Sequence, residues 1–149
     1  MFISAGGNSA NVNCIRSVAG SGFNNWVNFK PSNESESFIE FDFGAEFRVE
    51  LEFYLIHPYK QYHAKIYPRS WQIIGSNDQS KWVLLDEKED ELTLKNNLAE
   101  QFYCQNYDRN NKFRYIRFVQ SDSWSPSNNM PYYVSISFFE LFGDIYRVE

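Results

Sequence analysis

Hydrophobic and polar residues alternate with a period of two through several short stretches of the chain. In Phe38–Phe43 the apolar positions are 39, 41 and 43, and acidic residues occupy 40 and 42. In residues 48–55 every odd position is apolar, and the even positions are Arg, Glu, Glu and Tyr. Such alternation is typical of a strand with one buried face. Both stretches are therefore predicted strands, and the acidic face of the second is predicted to be solvated.

Further short strands follow, separated by turn-forming residues such as Gly75–Asp78. They are predicted around Trp71 and Ile73 and at 82–86, 100–104, 113–120 and 134–142. Residues 86–100 are charged, with spaced leucines, and predict a loop with one helical turn. Because helical periodicity is otherwise nearly missing, the pattern predicts an all-β protein, an antiparallel β-sandwich or jelly roll of about eight strands. Its length of 149 residues fits a single domain over residues 1–149.

Composition supports a packed β protein. Aromatic residues make up 19% of the chain, and they favour strands over helices. The net charge of −5 and the lack of a basic run argue against a nucleic-acid binder and against membrane insertion. The first residues lack the pattern of a signal peptide, and no apolar stretch approaches the roughly 18 residues of a membrane helix. A cytoplasmic protein is therefore expected.

Catalytic and metal-binding signatures are missing from the sequence. It holds no Gly-x-Ser-x-Gly elbow, no phosphate-binding glycine loop and no His-Glu-x-x-His motif, so no enzyme is predicted. A zinc site needs three or four protein ligands, and the sequence offers no clear third ligand beside the two histidines, His57 and His63. No metal site is therefore predicted from them. The two cysteines, Cys14 and Cys104, are predicted to be free thiols, although their spacing also permits a disulfide.

Four segments resemble motifs of one domain family. Phe38–Gly44 is similar to an aromatic-Ile-x-x-Asp-Leu-Gly strand, and Ser70–Trp82 to a strand followed by Ser-x-Asp-x-x-x-Trp. Phe113–Phe118 is similar to an Arg-Tyr-Ile-Arg strand, and Phe138–Gly143 to a closing Glu-Leu-x-Gly. Together, over residues 38–143, they resemble the F5/8 type C (discoidin-like) domain of the galactose-binding-like superfamily. These segments most resemble the variants of single-celled eukaryotes that are often joined to BTB domains.

The resemblance implies a jelly-roll fold, with two departures from the family's pattern. Extracellular members commonly link their first and last strands by a disulfide, whereas Cys14 and Cys104 do not bracket the domain. The N-terminal segment also lacks the Asp-rich turn that often holds a structural calcium. No cofactor is therefore expected, and Glu140 is the one weak candidate for a calcium ligand.

Ligands of this family bind at one end of the sandwich, in loops between strands. Three loops here mix aromatic rings with amide, imidazole or ammonium groups. Their candidate binding residues are Asn24, Asn25 and Trp26 in the first loop, His57, Tyr59, Lys60, Tyr62 and His63 in the second, and Trp124, Asn128, Asn129 and Tyr132 in the third. Such a mixture suits a sugar, whose C–H face packs on a ring while polar groups bond its hydroxyls. It equally suits a protein partner, because Tyr, Trp and Arg anchor protein interfaces.

Structural roles are predicted for two further groups of residues. Arg114 and Arg117 are expected to stack on aromatic neighbours or to pair with acids, with Asp42 and Glu140 as the plausible partners. A set of large apolar residues is assigned to the core rather than to a ligand site. The set is Phe41, Phe53, Trp71, Trp82 and Ile116.

The leading functional hypothesis from these observations is a non-catalytic interaction module inside the cell. It would bind a protein partner, or a larger assembly, through the loops at one end of the jelly roll. The alternative is a carbohydrate-binding, lectin-like module that uses the same loops for a glycan.

Overall fold

A computed structural model describes residues 2–6, 28–29, 37–58, 66–96, 99–124 and 134–148. Those residues form nine β-strands and one 3₁₀ helix, Thr93–Asn96. The strands are β1 (Phe2–Gly6), β2 (Asn28–Phe29), β3 (Ser37–Asp42), β4 (Phe47–Pro58), β5 (Tyr67–Ser76), β6 (Val83–Lys88), β7 (Glu100–Tyr103), β8 (Tyr115–Trp124) and β9 (Val134–Arg147).

The strands pair in two antiparallel sheets. The five-stranded sheet has the order β1-β3-β8-β5-β6, and the four-stranded sheet has the order β2-β9-β4-β7. All strand pairs are antiparallel. The predicted all-β antiparallel sandwich is therefore confirmed, and the predicted helical turn lies at the 3₁₀ helix. One domain over residues 1–149 stays a prediction.

Aromatic side chains from both sheets meet in the core. Trp71 and Phe118 of the five-stranded sheet pack against Phe102 and Phe139 of the four-stranded sheet, with ring centroids 5.3 to 5.6 Å apart. Tyr54 stacks on Phe139 at 5.8 Å. Aromatic pairs contribute about 0.5–1.5 kcal/mol each beyond the area that they bury. The core thus follows from the aromatic-rich inner faces of the strands.

A β-bulge in β4 reverses the predicted alternation halfway along the strand. The register passes from Leu51 opposite Gly143 to Phe53 opposite Phe142, so Glu52 is an extra residue. Beyond the bulge Tyr54 and Ile56 are fully buried, while Phe53 is only half-buried. Since one inserted residue moves every later side chain to the other face, the prediction that Phe53 is a core residue was wrong.

The acidic face predicted for β4 is not solvated throughout. Glu50 is buried, and its carboxylate accepts hydrogen bonds from the hydroxyls of Tyr107 and Tyr146. These bonds, that from Tyr107 foremost, hold the pKa of Glu50 below its usual value. Its main chain meets Gly143, where a Cβ atom would lie 2.0 Å from the Glu50 carbonyl oxygen. Only glycine fits at this position of β9.

The two predicted arginine pairings had different outcomes. Arg114 forms a bidentate ion pair with Asp42, at 2.8 Å from Nε and 3.0 Å from Nη2, as predicted. Arg117 pairs instead with Glu40 of the neighbouring β3, at 2.5 Å. Glu140 is exposed on β9, in the other sheet. The assignment of Glu140 as a partner was therefore wrong.

Of the residues predicted for the core, Phe41, Trp71 and Ile116 are buried. Trp82 is half-buried and lies on the outer face of the five-stranded sheet, where its ring contacts the Arg117 guanidinium at 4.3 Å. The core assignment of Trp82 was therefore wrong. Cys104 is a buried free thiol, and Cys14 lies outside the described residues.

The register defines two ends of the sandwich. At one of them β4 and β8 end and β5 and β9 begin, because Tyr67 faces Trp124 and Pro58 faces Ile136. We call this the loop end. The opposite end, here the turn end, holds residues 43–46, 77–82 and 104–114. β1 begins and β9 ends there as well, on either side of the turn 43–46.

Among the described residues, no helix has the length and apolar character that crossing a membrane requires.

Candidate functional site at the loop end

Two of the twelve predicted binding residues belong to the described part of the chain. His57 is the penultimate residue of β4, and Trp124 is the last residue of β8, so both lie at the loop end. The other ten lie outside the described residues. They are Asn24, Asn25, Trp26, Tyr59, Lys60, Tyr62, His63, Asn128, Asn129 and Tyr132.

Trp124 is half-buried and is held in place by polar contacts. Its indole N–H donates a hydrogen bond to the Glu91 carbonyl oxygen at 2.7 Å. The guanidinium of Arg69 lies 4.1 Å from the ring centroid, and the ammonium of Lys95 lies 4.4 Å from it. Both distances are within the range of a cation–π contact. The ring therefore gathers two cationic side chains at the loop end, a role that the sequence did not predict for it.

Arg69 lies between this ring and two carboxylates. Its Nε atom is 2.5 Å from Asp90 and 3.6 Å from Asp122. The side chains of Asp90 and Asp122 are 68% and 41% exposed, and the other oxygen atom of Asp122 accepts a hydrogen bond from the Ser123 N–H at 2.8 Å. Exposed ion pairs of this kind add little to stability, with a median of about 0–1 kcal/mol. Their value lies in the fixed position that they give to donors and acceptors.

The segment after β6 is fastened to β5 by backbone contacts. The Asp90 N–H donates to the Ser70 hydroxyl at 3.0 Å, and the Glu91 N–H donates to the Arg69 carbonyl at 2.8 Å. Asp90 has a φ of 53°, in the left-handed region that aspartate tolerates better than most residues. This turn directs the Asp90 carboxylate toward Arg69.

His57 bonds to its own strand. Its Nδ1 atom lies 2.8 Å from the Pro58 carbonyl oxygen, so the proton on that nitrogen is donated to the main chain. The bond fixes the orientation of the half-buried imidazole at the end of β4.

The sequence-based reasoning missed Arg69, Asp90 and Lys95. Asp90 and Lys95 both belong to the charged stretch 86–100, which was predicted to be a loop with one helical turn and not a binding site. Arg69 carried one available signal, since it precedes the Ser70–Trp82 motif directly and follows the second predicted loop. Arg69 and Lys95 lie on the Trp124 ring and Asp90 pairs with Arg69, so the cluster joins three separate stretches of chain.

Metal binding finds no support among the described side chains. They include no group of three or more His, Cys, Asp or Glu residues that could hold an ion. Glu140 lies in the middle of β9, opposite Leu55, and belongs to no such group. We therefore derive no role for calcium from these residues.

Comparison with solved structures finds other proteins with a similar fold. The chain is similar to the CBM62 from Clostridium thermocellum Xyl5A, with a TM-score of 0.65, 20% identity and coverage of 96% of this chain and 94% of that one. It is also similar to CpGH89CBM32-5 from Clostridium perfringens, in complex with GalNAc-β-1,3-galactose, with a TM-score of 0.65, 11% identity and 95% of both chains covered.

A third similar structure is the CBM32 of AlyQ in complex with 4,5-unsaturated mannuronic acid. The TM-score is 0.63, the identity 13%, and 93% of each chain is covered. No family model matches the sequence, and no curated protein does. Membership of the F5/8 type C family, and of its BTB-linked variants, stays a prediction. The chain shares its β-sandwich fold with these three carbohydrate-binding modules.

Proposed function

We propose that the chain is a non-catalytic carbohydrate-binding module that takes a sugar at the loop end. The observation that carries the proposal is a cluster in which Arg69 lies against the Trp124 ring and pairs with Asp90 and Asp122. It presents guanidinium donors and carboxylate acceptors side by side at the end of a sandwich. Three similar structures with this fold are carbohydrate-binding modules, two of them with a sugar in the complex, which supports the same reading.

The chemistry of the cluster matches that of a sugar. Each hydroxyl of a pyranose both donates and accepts hydrogen bonds, so it pairs best where donors and acceptors alternate at short distance. Hydrogen bonds to charged groups are stronger than neutral ones, at about 1.5–3 kcal/mol. The Trp124 ring and the Asp90 turn hold these groups in place, which lowers the entropic cost of ordering them on binding.

A glycan array followed by calorimetric titration tests the proposal. Arg69→Met should weaken binding of the best array sugar by about tenfold or more, because one charged hydrogen-bonding group is lost. Arg109→Met is the matched control, since Arg109 is an exposed arginine of the turn end. It changes the net charge equally and should leave the affinity unchanged.

Two results would count against the loop-end site. One is an array without signal, together with no shift of the melting temperature in millimolar galactose- or glucose-type sugars. The other is an equal loss of affinity in Arg69→Met and Arg109→Met, because the loss would then come from the change of net charge and not from the loop end.

Docking of a protein partner through the same loops was the leading hypothesis from the sequence. The comparisons favour its carbohydrate alternative, because the similar structures are carbohydrate-binding modules. Protein binding therefore has no place in this proposal, and two of the residues predicted for it, Tyr59 and Tyr62, lie outside the described residues.

A further inference from the structure

We propose that the outer face of the five-stranded sheet carries a second glycan-binding surface, a groove that takes a neutral polysaccharide chain. The groove goes beyond the function proposed above, because it lies on a sheet face rather than at the loop end. It consists of two adjoining depressions of about 380 Å³ each. Both are lined by Gln72 and Val119, which face each other across β5 and β8, so the depressions form one continuous surface.

The depression nearer the turn end is aromatic. The Arg117 guanidinium lies 4.1 Å from the Phe38 ring centroid and 4.3 Å from that of Trp82. Its Nε atom is bonded to the buried carboxylate of Glu40, which also accepts a hydrogen bond from Gln79. In the described part of the chain the two terminal nitrogens of Arg117 make no hydrogen bond. These two nitrogens are therefore hydrogen-bond donors that a ligand can use, and the guanidinium that carries them lies beside two rings.

The depression nearer the loop end is polar. Hydroxyl, amide and carboxylate groups line it, from Ser70, Gln72, Ser121, Asp90 and Asp122. A bulge lies in this part of the sheet, because the register of β5 and β8 shifts between Ser70 and Trp71 and leaves Ser121 as an extra residue of β8. Asp90 and Asp122 also pair with Arg69, so the groove runs on into the loop-end cluster.

The shape of the groove suits a chain rather than a single sugar. From Arg117 to Asp122 it follows β8 for five residues, about 17 Å at the usual rise of a strand. Aromatic surface at one end can cover the C–H face of a pyranose, and the polar end can bond hydroxyls along the chain.

The charge of the groove selects among possible chains. Its lining includes the carboxylates of Glu87, Glu89, Asp90 and Asp122 but only two cations, Lys88 and Arg117. A polyanion is therefore repelled. The hydroxyls of a neutral chain can donate to these carboxylates and accept from Arg117, so they suit both depressions of the groove.

Affinity electrophoresis in native gels that contain xylan, galactan, mannan or β-glucan tests the groove. Gln72→Ile removes the central amide and fills the groove with a branched side chain at an exposed strand position. It leaves the net charge unchanged, so mobility without polysaccharide stays the same. We expect retention by the best polysaccharide to weaken about five- to tenfold, as for the loss of one or two hydrogen bonds and of space.

Gln101→Ile is the matched control, since Gln101 is an exposed glutamine on β7 of the other sheet. It should be retained like the wild type. Gln72→Ala, which adds no bulk, is a second variant for the case that Gln72→Ile does not fold, and it should show a smaller loss in the same direction. Arg69→Met in the same gels reports on the loop-end site separately.

Each result has a distinct meaning. Equal retention of wild type, Gln72→Ile and Gln72→Ala overturns the groove and leaves the loop-end function standing. Loss of retention in the Gln72 variants, with Arg69→Met retained like Arg109→Met, supports the groove and overturns the loop end. No retention in any gel overturns the groove, and the glycan array described above then decides the loop-end site. An oligolysine peptide that binds the wild type but not Gln72→Ile, without retention by any polysaccharide, overturns the glycan in favour of a basic peptide.

Discussion

The hydroxyl of Tyr54 links the two sheets in the middle of the core. It donates to the buried Asp86 carboxylate at 2.7 Å and accepts from the Trp71 indole at 2.9 Å. Tyr54 belongs to β4, whereas Trp71 and Asp86 belong to the other sheet. Burial is the largest cause that raises the pKa of Tyr54 far above its usual value, and the hydrogen bond to Asp86 is the next. The phenol therefore stays protonated and donates its hydrogen bond to Asp86. A buried carboxylate is tolerated here because it is bonded.

Tyr54→Phe should destabilise the protein by about 1–3 kcal/mol. The substitution keeps the ring but leaves Asp86 and the Trp71 indole short of a partner in the interior. Urea unfolding followed by tryptophan fluorescence measures the change. Tyr103→Phe, at a ring that is 63% exposed, is the control and should leave the midpoint unchanged. Equal midpoints for both variants would mean that the hydroxyl contributes nothing.

At the scale of strands, the sequence predicts most of the fold and little of the site. Two-residue alternation identifies β3 and the first half of β4, and the order of four motifs identifies the jelly roll. The bulge at Glu52 could not be foreseen, because an extra residue has no local signature until β9 is paired opposite. The Arg117–Glu40 pair likewise depends on the register of β3 and β8. Arg69 and Lys95 are distant in the sequence and meet only because both lie on the ring of Trp124, the last residue of β8.

The end of β3 makes a pH-dependent contact with the start of β8. Asp42 accepts two hydrogen bonds from Arg114 and one from the Gly44 N–H. The Arg114 bond is the largest of the causes that hold the pKa of Asp42 below its usual value. A lowered carboxyl pKa means that the unfolded chain takes up the proton first as the pH falls. The contribution of Asp42 is therefore present above about pH 4 and is lost as the pH falls further.

Asp42→Asn should lower the unfolding midpoint at neutral pH and make the loss of stability below about pH 4 shallower than in the wild type. Thermal unfolding at a series of pH values between 2 and 7 measures both effects. Asp144→Asn, at an exposed position of β9, is the control with the same change of charge. Parallel curves for wild type and Asp42→Asn would contradict the assigned pairing.

At the scale of the whole molecule, the two proposed binding surfaces adjoin each other, and the sheet-face groove extends from the loop end to Trp82 at the turn end. The loop-end cluster and the sheet-face groove share Asp90 and Asp122. The turn end holds the contacts of Glu50 with Tyr107 and Tyr146 and of Asp42 with Arg114. Changes at these contacts should therefore act on stability, and changes at the two proposed surfaces on binding.

β1 begins and β9 ends on either side of the turn 43–46, and this makes a circular permutant feasible. Phe2 lies opposite Asp42, and the Val148 N–H bonds to the Glu46 carbonyl. A linker of about ten Gly and Ser residues, up to about 33 Å long when extended, should join the two strands. New ends can be opened between Asn110 and Asn111, which are exposed or half-buried at the turn end.

Such a permutant should unfold in one cooperative transition and be retained by the same polysaccharide as the parent chain. Circular dichroism during urea titration, and the gels described above, measure these two properties. A permutant that does not fold would contradict the position of the start of β1 and the end of β9 on either side of the turn 43–46. A permutant that folds would carry both of its ends beside one another, at the opposite end of the sandwich from the loop-end cluster, so that it could be attached to a surface by either end with that cluster outward.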